Sequence, residues 1–442
     1  MAHVLGKRAT TVPQRQRATA RTTLVNGRDF PACTTKPEHC ELFGLTYERS
    51  APDGGDDGDE PCSSGDKVLC SSLAPTTAQV DTPAHTLNVL TYNIQERFWF
   101  ISHDGQRERS CRIPAVLRRA FPDVDVIGFQ EVFMGGCFPF RLSLRDLLAQ
   151  HGFPYTTRTV GAIWPPPSLA DADPDASKVE PNVDSNVDHK PSFSSSSLTH
   201  DHDASKVDSK ASKVDRKVGL QITNGGIFIA SRWPIVREAQ HVYENADALS
   251  WDAFAKKGVA YAAVNKTDAS GATKLYHVFS THQQTGVVWE TKVGQARELR
   301  EMARRLGVPS DEPVVYVGDY NVDLYTEPTL LADVLSAMSA QLPAVVGPRA
   351  CTVSSENDFY PEPKCDWVDY TTYSRDHQRP LHATMESVRP LADEPFPVCY
   401  DRGKIFRLGY MWPDDDRCRN RNVPLTDLAD HFPLLGRFVF PK

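Results

Sequence analysis

Seven short runs along the chain are almost continuously β-favouring and apolar: LNVLTYN from residue 87, VDVIGFQEV from 124, GGIFIAS from 225, GVAYAAV from 258, LYHVFSTH from 275, VVYVGDYN from 314 and LLGRFVF from 434. Unbroken apolar runs of this length belong to strands covered on both faces. Two segments between them change to helical spacing. One is IPAVLRRAF, from 113. The other is TKVGQARELREMARRLG, where Val293, Ala296, Leu299, Ala303 and Leu306 form one stripe that stops at Gly307. Strands buried on both sides, with helices between them, predict a layered α/β sandwich built as one large domain.

Two stretches carry no apolar period. Residues 1–84 are rich in Thr, Pro, Gly, Asp and Arg, include the acidic tract DGGDDGDE and four cysteines, and read as an irregular extension stapled by local disulfides. Residues 165–217 open on PPPS, contain SSSS, and repeat ASKV followed by an acid at Ala176, Ala204 and Ala211. Such a tract buries too little to offset the entropy of ordering and is expected to be a disordered insertion in the main domain, 85–442.

Composition narrows the class. With 442 residues, 40% of them hydrophobic, the chain can build a sizeable core. A formal net charge of −8 gives no basic footprint for a nucleic-acid backbone, so no stable nucleic-acid partner is expected. No apolar run is long enough to span a bilayer. The ten cysteines include no CxxC pair and no zinc-like spacing, and their even number favours disulfides and an extracellular or lumenal setting. The basic, polar first residues lack the apolar core of a secretory signal.

Polar side chains interrupt the strands at their ends. Asn93 and Glu131 close the first two runs, Asn224 precedes the third, His282 closes LYHVFSTH, Asp319 and Asn321 close VVYVGDYN, and Asp430 with His431 precedes the last. Each alone is an ordinary turn or surface residue. Together they are the inventory of hard-cation binding and acid/base chemistry, placed where α/β sheets gather ligands. Period-two alternation would aim Asp319 and Asn321 the same way and Tyr320 the opposite way.

The motifs TYNIQ at 91, GFQEVF at 128, NGGIFIASRWPI at 224, HVFSTHQQ at 277, VGDYNVD at 317, CDWVDY at 365 and LADHFPL at 428 resemble, in order, those of the endonuclease/exonuclease/phosphatase superfamily. Within it the chain is most similar to neutral Mg²⁺-dependent sphingomyelinases. The likeness runs from about Thr86 to the end, apart from the insertion. Two departures stand out: the last motif has Ala429 where the superfamily usually has Ser, and CDWVDY offers two aspartates, Asp366 and Asp369, for one role.

The resemblance implies a four-layer sandwich of two mixed sheets with helices outside, and an enzyme that hydrolyses sphingomyelin to ceramide and phosphocholine. Asn93, Glu131 and Asp430 would hold one or two Mg²⁺ ions, for which Mn²⁺ or Co²⁺ could substitute. His431 would activate water with its ring held by Asp366. His282, Asp319 and Asn321 would act on the scissile phosphate and leaving group, and Asn224 would contact substrate. The aromatic stretch between Cys399 and Cys418, with Phe406 and Trp412, is expected to form an interfacial hairpin on a phospholipid membrane, with FWF at 98–100 as a second candidate. A monomer is expected. The competing readings are a metal-dependent nuclease of the same superfamily and a catalytically silent binding module; the chain retains both histidines and the QE glutamate, whose loss would mark the latter.

Overall fold

The computed structural model describes residues 32–34, 45–50, 68–72, 78–97, 102–133, 136–137, 142–162, 223–246, 255–286, 288–401, 418 and 422–442. Nine strands carry the argument: β1 (Thr86–Glu96), β2 (Val126–Val132), β3 (Phe228–Ser231), β4 (Gly258–Thr267), β5 (Thr273–His282), β6 (Val314–Asp319), β7 (Asp369–Ser374), β8 (His382–Ser387) and β9 (Leu434–Val439). They form the bodies of a seven-stranded and a six-stranded sheet. The first runs β8-β9-β1-β2-β3, flanked by the short strands Ala344–Val346 and Tyr155–Thr156. The second runs β4-β5-β6-β7, flanked by Ile235–Val242 and Ala340–Gln341. The pairs β1 with β2 and β5 with β6 are parallel, and the remaining pairs among the nine are antiparallel.

Strand alternation explains the layers. On β1, Leu87 and Val89 enter the core shared by the two sheets, while Leu90, Tyr92 and Ile94 face the outer core under helices. On β4, Ala260, Ala262 and Val264 face the first sheet, whereas Val259, Tyr261 and Ala263 face outward. Helices α1 (Gln106–Ala120) and α2 (Leu144–Gln150) cover the first sheet. The second is covered by α3 (Trp289–Arg305) and α4 (Pro328–Met338), so the four expected layers are present. Val293, Ala296, Leu299 and Ala303 of α3 are buried, Leu306 packs beside them, and Gly307 ends the turn at φ 66°.

The structure differs from the sequence reading at several elements. Helix α1 begins at Gln106, well before IPAVLRRAF, because buried Arg109 and Ser110 satisfy their polar groups inside the fold. β7, DYTTYS, has almost no aliphatic side chains, yet Thr371, Thr372 and Ser374 are fully buried beside β6. The extension is not irregular throughout: Ala32–Thr34, Leu45–Ser50 and Val68–Ser72 form a small antiparallel sheet. The 165–217 tract lies outside the described residues. Its flanks belong to one sheet, since Tyr155–Thr156 pairs with β3.

The two sheets approach closely at two glycines. A Cβ on Gly128 of β2 would lie 2.7 Å from both Ser280 Oγ and Val317 Cγ2 of the other sheet, and one on Gly436 would lie 2.7 Å from Thr371 Oγ1. Neither backbone can move without parting the layers. Gly128→Ala is expected to lower unfolding free energy by about 1–3 kcal/mol, as overpacking does. Urea denaturation checks it, and an unchanged midpoint would contradict the close-approach account.

Candidate active site

Register assembles the centre. In the parallel pair β5 with β6, His282 stands beside Asp319; in the antiparallel pair β6 with β7, Asp319 stands beside Asp369. Three adjacent strands thus end in one row, His282, Asp319, Asp369, all buried. The loop entering β9 adds His431, whose Nδ1 lies 2.8 Å from Asp369 Oδ2. His282 Nε2 lies 3.5 Å from Asp319 Oδ2.

The first sheet contributes from across the interface. The Asn93 amide nitrogen donates to Asp319 Oδ2 at 3.1 Å and to Glu131 Oε1 at 3.3 Å, so one side chain ties the two carboxylates. Glu131 Oε2 accepts from half-exposed Arg97 Nε at 3.1 Å. The backbone here is strained: Gln95, Glu131 and Asn321 have φ of 50°, 57° and 51°, and the only other described non-glycine residue with positive φ is Ser339, after α4.

Asn224 supports this bend, its Oδ1 accepting from Gly226 N at 2.8 Å while Gly226 O accepts from Val132 N at 2.8 Å. A Cβ on Gly226 would lie 2.9 Å from Val132 N. Asn224 therefore sits next to Glu131 but spends its carbonyl oxygen on its own turn.

Three expectations are corrected. Asp366 does not hold His431: its side chain is 39% exposed and pairs with Lys364 Nζ at 3.1 Å, because it lies outside the strand row that Asp369 joins. Asn93 presents its nitrogen, not its oxygen, to Glu131, since the two flanking carboxylates accept and its Oδ1 takes Gln95 N at 3.1 Å. Asn321 does not follow strand alternation, because pairing ends at Asp319; its amide donates to Gln283 O at 3.1 Å. Tyr320 does face away, buried against Tyr370 with its hydroxyl beside Thr372. Phe406, Trp412 and 98–100 lie outside the described residues.

The motif reading missed two cations. Lys257 Nζ lies 3.0 Å from His282 Nε2 and donates to Gln283 O at 2.9 Å; its only sequence signal is a lysine at a strand entry. A lysine donating to Nε2 leaves the proton of a neutral ring on Nδ1. Arg97, after a strand end, gives no signal at all.

The model for the Endonuclease/Exonuclease/phosphatase family matches residues 90–382, well over half of the chain. The chain belongs to this family. It is 26% identical to a sphingomyelinase C of Bacillus cereus over 182 residues, which cover 38% of this chain and 53% of that protein. It is 27% identical to a phospholipase C of Staphylococcus aureus over 224 residues, 48% of this chain and 59% of that one. The matched part thus spans little more than half the length of these relatives. Among solved structures, sphingomyelinase C from Streptomyces griseocarneus aligns with a TM-score of 0.53 at 21% identity, over 80% of this chain and 99% of that one. A Staphylococcus aureus beta toxin mutant with bound magnesium ions aligns at 0.52 and 20%, over 80% and 99%. At these identities the structures establish the family's fold.

Electrostatics divides the family site into two halves. Burial would raise Glu131, but Arg97, His282 and Lys257 hold it well below the usual carboxylate range. Asp430 is raised, chiefly by burial; Tyr360 donates to its Oδ2 at 3.1 Å, while its buried Oδ1 has no hydrogen-bond partner. An ionised carboxylate beside a second one with an unsatisfied buried oxygen fits a hard divalent cation. A second group, Asp319, Asp369 and His431, has ligand atoms within 4.8 Å of one another, through strand register for the two aspartates and through the hydrogen bond that occupies His431 Nδ1. Asp319 is raised by burial and by Asp369, against His282, His431 and Lys257.

Burial would lower His431, yet Asp369, Asp430 and Asp319 push it up to about 10. Removing the adjacent negative charge disfavours the imidazolium, so Asp369→Asn should bring the His431 titration down towards the ordinary range near 6.5, while Asp366→Asn should leave it unchanged. Histidine NMR titration of both variants reads this, and a shift in the Asp366 variant alone would reverse the assignment.

Proposed function

We propose that this chain is a divalent-cation-dependent phosphodiesterase that hydrolyses sphingomyelin to ceramide and phosphocholine. The observation that carries the reading is the grouping, at one edge of the paired sheets, of the Glu131 and Asp430 carboxylates with the His431–Asp369 pair. The sphingomyelinase likeness supports the choice of lipid.

In this reading Glu131 and Asp430 hold the ion, Mg²⁺ with Mn²⁺ or Co²⁺ as substitutes, and Asn93 fixes Glu131 from its far side. A divalent ion held by these two carboxylates would supply charge neutralisation for the phosphate and would offset the carboxylates that keep His431 protonated. His431 Nε2 takes the proton of the attacking water, and Asp369 holds the ring so that this nitrogen points inward. The water oxygen bonds to phosphorus as the bond from phosphorus to the ceramide oxygen breaks; the departing oxygen takes a proton from solvent on the His282 side, and His431 returns its own to solvent. Lys257, beside His282, supplies fixed positive charge for the non-bridging oxygens. His282 and the second amide proton of Asn321 lie on the leaving-group side.

Phosphocholine release from sphingomyelin liposomes should require Mg²⁺ and exceed any nicking of plasmid DNA; the reverse preference would favour the nuclease reading. His431→Ala should lose roughly a thousandfold in kcat with Mg²⁺ affinity retained. Glu131→Gln should lose activity and weaken Mg²⁺ binding. An active His431→Ala protein sinks the base assignment.

The Cys399–Cys418 disulfide closes the loop that carries Phe406 and Trp412, and we place the membrane-contacting hairpin there. With Cys111–Cys137 and Cys351–Cys365 also bridged, the described residues fit an oxidising, extracellular or lumenal setting, and no helix among them is long and apolar enough to cross a membrane. A Phe406→Ser, Trp412→Ser double variant should bind sphingomyelin vesicles about tenfold more weakly in a sedimentation assay while its activity on a soluble phosphodiester persists. Unchanged vesicle binding removes the hairpin role.

A further inference from the structure

Arg109 is fully buried on α1, yet it hydrogen-bonds no side chain of the proposed site. All five of its N–H donors are used. Nε donates to Asp104 O at 3.0 Å; Nη1 donates to Ile94 O at 2.6 Å and Leu428 O at 2.9 Å; Nη2 donates to Gln95 O at 2.9 Å and Asp104 Oδ1 at 2.8 Å. Its planar group also lies 5.2 Å over the Phe359 ring.

What these acceptors belong to decides the meaning. Ile94 and Gln95 directly follow Asn93, and Gln95 is one of the strained left-handed residues. Leu428 is two residues before Asp430. The segment that follows Asn93, which clamps Glu131, and the Asp430–His431 loop lie near opposite ends of the domain in sequence, and this guanidinium bonds the backbone of both. A rigid planar fork fixes the distance and angle between its acceptors; an ammonium on a flexible stem does not.

We infer that Arg109 is a positioning residue that sets the separation of Asn93 from Asp430, and with it the geometry in which Glu131 and Asp430 receive a divalent cation. This rests on the reading that those two carboxylates hold the ion. Asp104 contributes by balancing the buried charge at 2.8 Å.

A second buried cation provides the control. Lys266 is equally buried and bonds Asp125 Oδ2 at 2.8 Å and Thr86 O at 2.8 Å. It pairs with Lys274, eight residues back along β5 from His282, about 26 Å at strand rise. Loss of either cation should destabilise the fold, but only Arg109 reaches the site.

The test is Mg²⁺ calorimetry on wild type, Arg109→Lys and Lys266→Met, each held well below its own melting temperature, with sphingomyelin kinetics alongside. Both variants should melt lower. Arg109→Lys should bind Mg²⁺ about tenfold more weakly and lose kcat with little change in KM, whereas Lys266→Met should stay within twofold of wild type in both. Equal Mg²⁺ affinity for Arg109→Lys and wild type, or equal weakening by the two variants, overturns the inference. Should Arg109→Lys not fold, Asp104→Asn replaces it, keeping an acceptor for Nη2 while removing the balancing charge; threefold weaker Mg²⁺ binding is expected, and wild-type affinity overturns the role. A wild-type protein that binds Mg²⁺ but releases no phosphocholine sinks the choice of substrate and leaves the Arg109 result readable.

Discussion

A single carboxamide joins the two sheets at their row of ionisable strand ends. The Asn93 nitrogen reaches Asp319 on the opposite sheet and Glu131 on its own neighbour, and it can do so only because the layers close to side-chain contact at Gly128 and Gly436. Ordinary packed sheets stand about 10 Å apart, a gap filled by aliphatic side chains. Here the filling changes from Val89, Val278 and Val317 in the middle to Thr91, Gln130 and Ser280, and then to ionisable groups at the rim. Thr91 bonds Gln130, whose amide bonds Ser280, so the polar edge is supported by hydrogen bonds all the way down to the apolar core.

Much of this was legible in the sequence because burial leaves a strong mark. Runs such as GVAYAAV are apolar on both faces, and all seven such runs are strands. The edge strand Ile235–Val242, with exposed Val236, Arg237 and Gln240, and the polar β7 gave no comparable mark, since one is half solvated and the other buries polar side chains, of which the Thr372 and Ser374 hydroxyls find partners inside the fold. The family motifs carried Glu131, His282, Asp319, Asp430 and His431 to one site. They could not choose between Asp366 and Asp369, because that choice depends on where β7 begins pairing with β6, which is a matter of tertiary register.

Side-chain direction was the least legible property. Period-two reasoning still places Tyr320, one residue past the last paired position, and no longer sets the direction of Asn321, where the backbone has turned left-handed. The left-handed conformations of Gln95, Glu131 and Asn321 lie where strands leave their sheets. Asparagine enters that region readily, whereas a glutamate is held there by its surroundings, in this case by the turn of Asn224 and Gly226.

The flanks of the 165–217 tract pair Thr156 with Ala230 and Tyr155 with Ser231. Chain ends already clasped in a ladder make the segment between them thermodynamically cheap to lengthen, because closure entropy grows only with the logarithm of loop length, about 0.6 kcal/mol for each doubling. Length at this point of the fold is therefore nearly free to drift, provided the turn of Asn224 and Gly226, which borders the tract and supports Glu131, keeps its place.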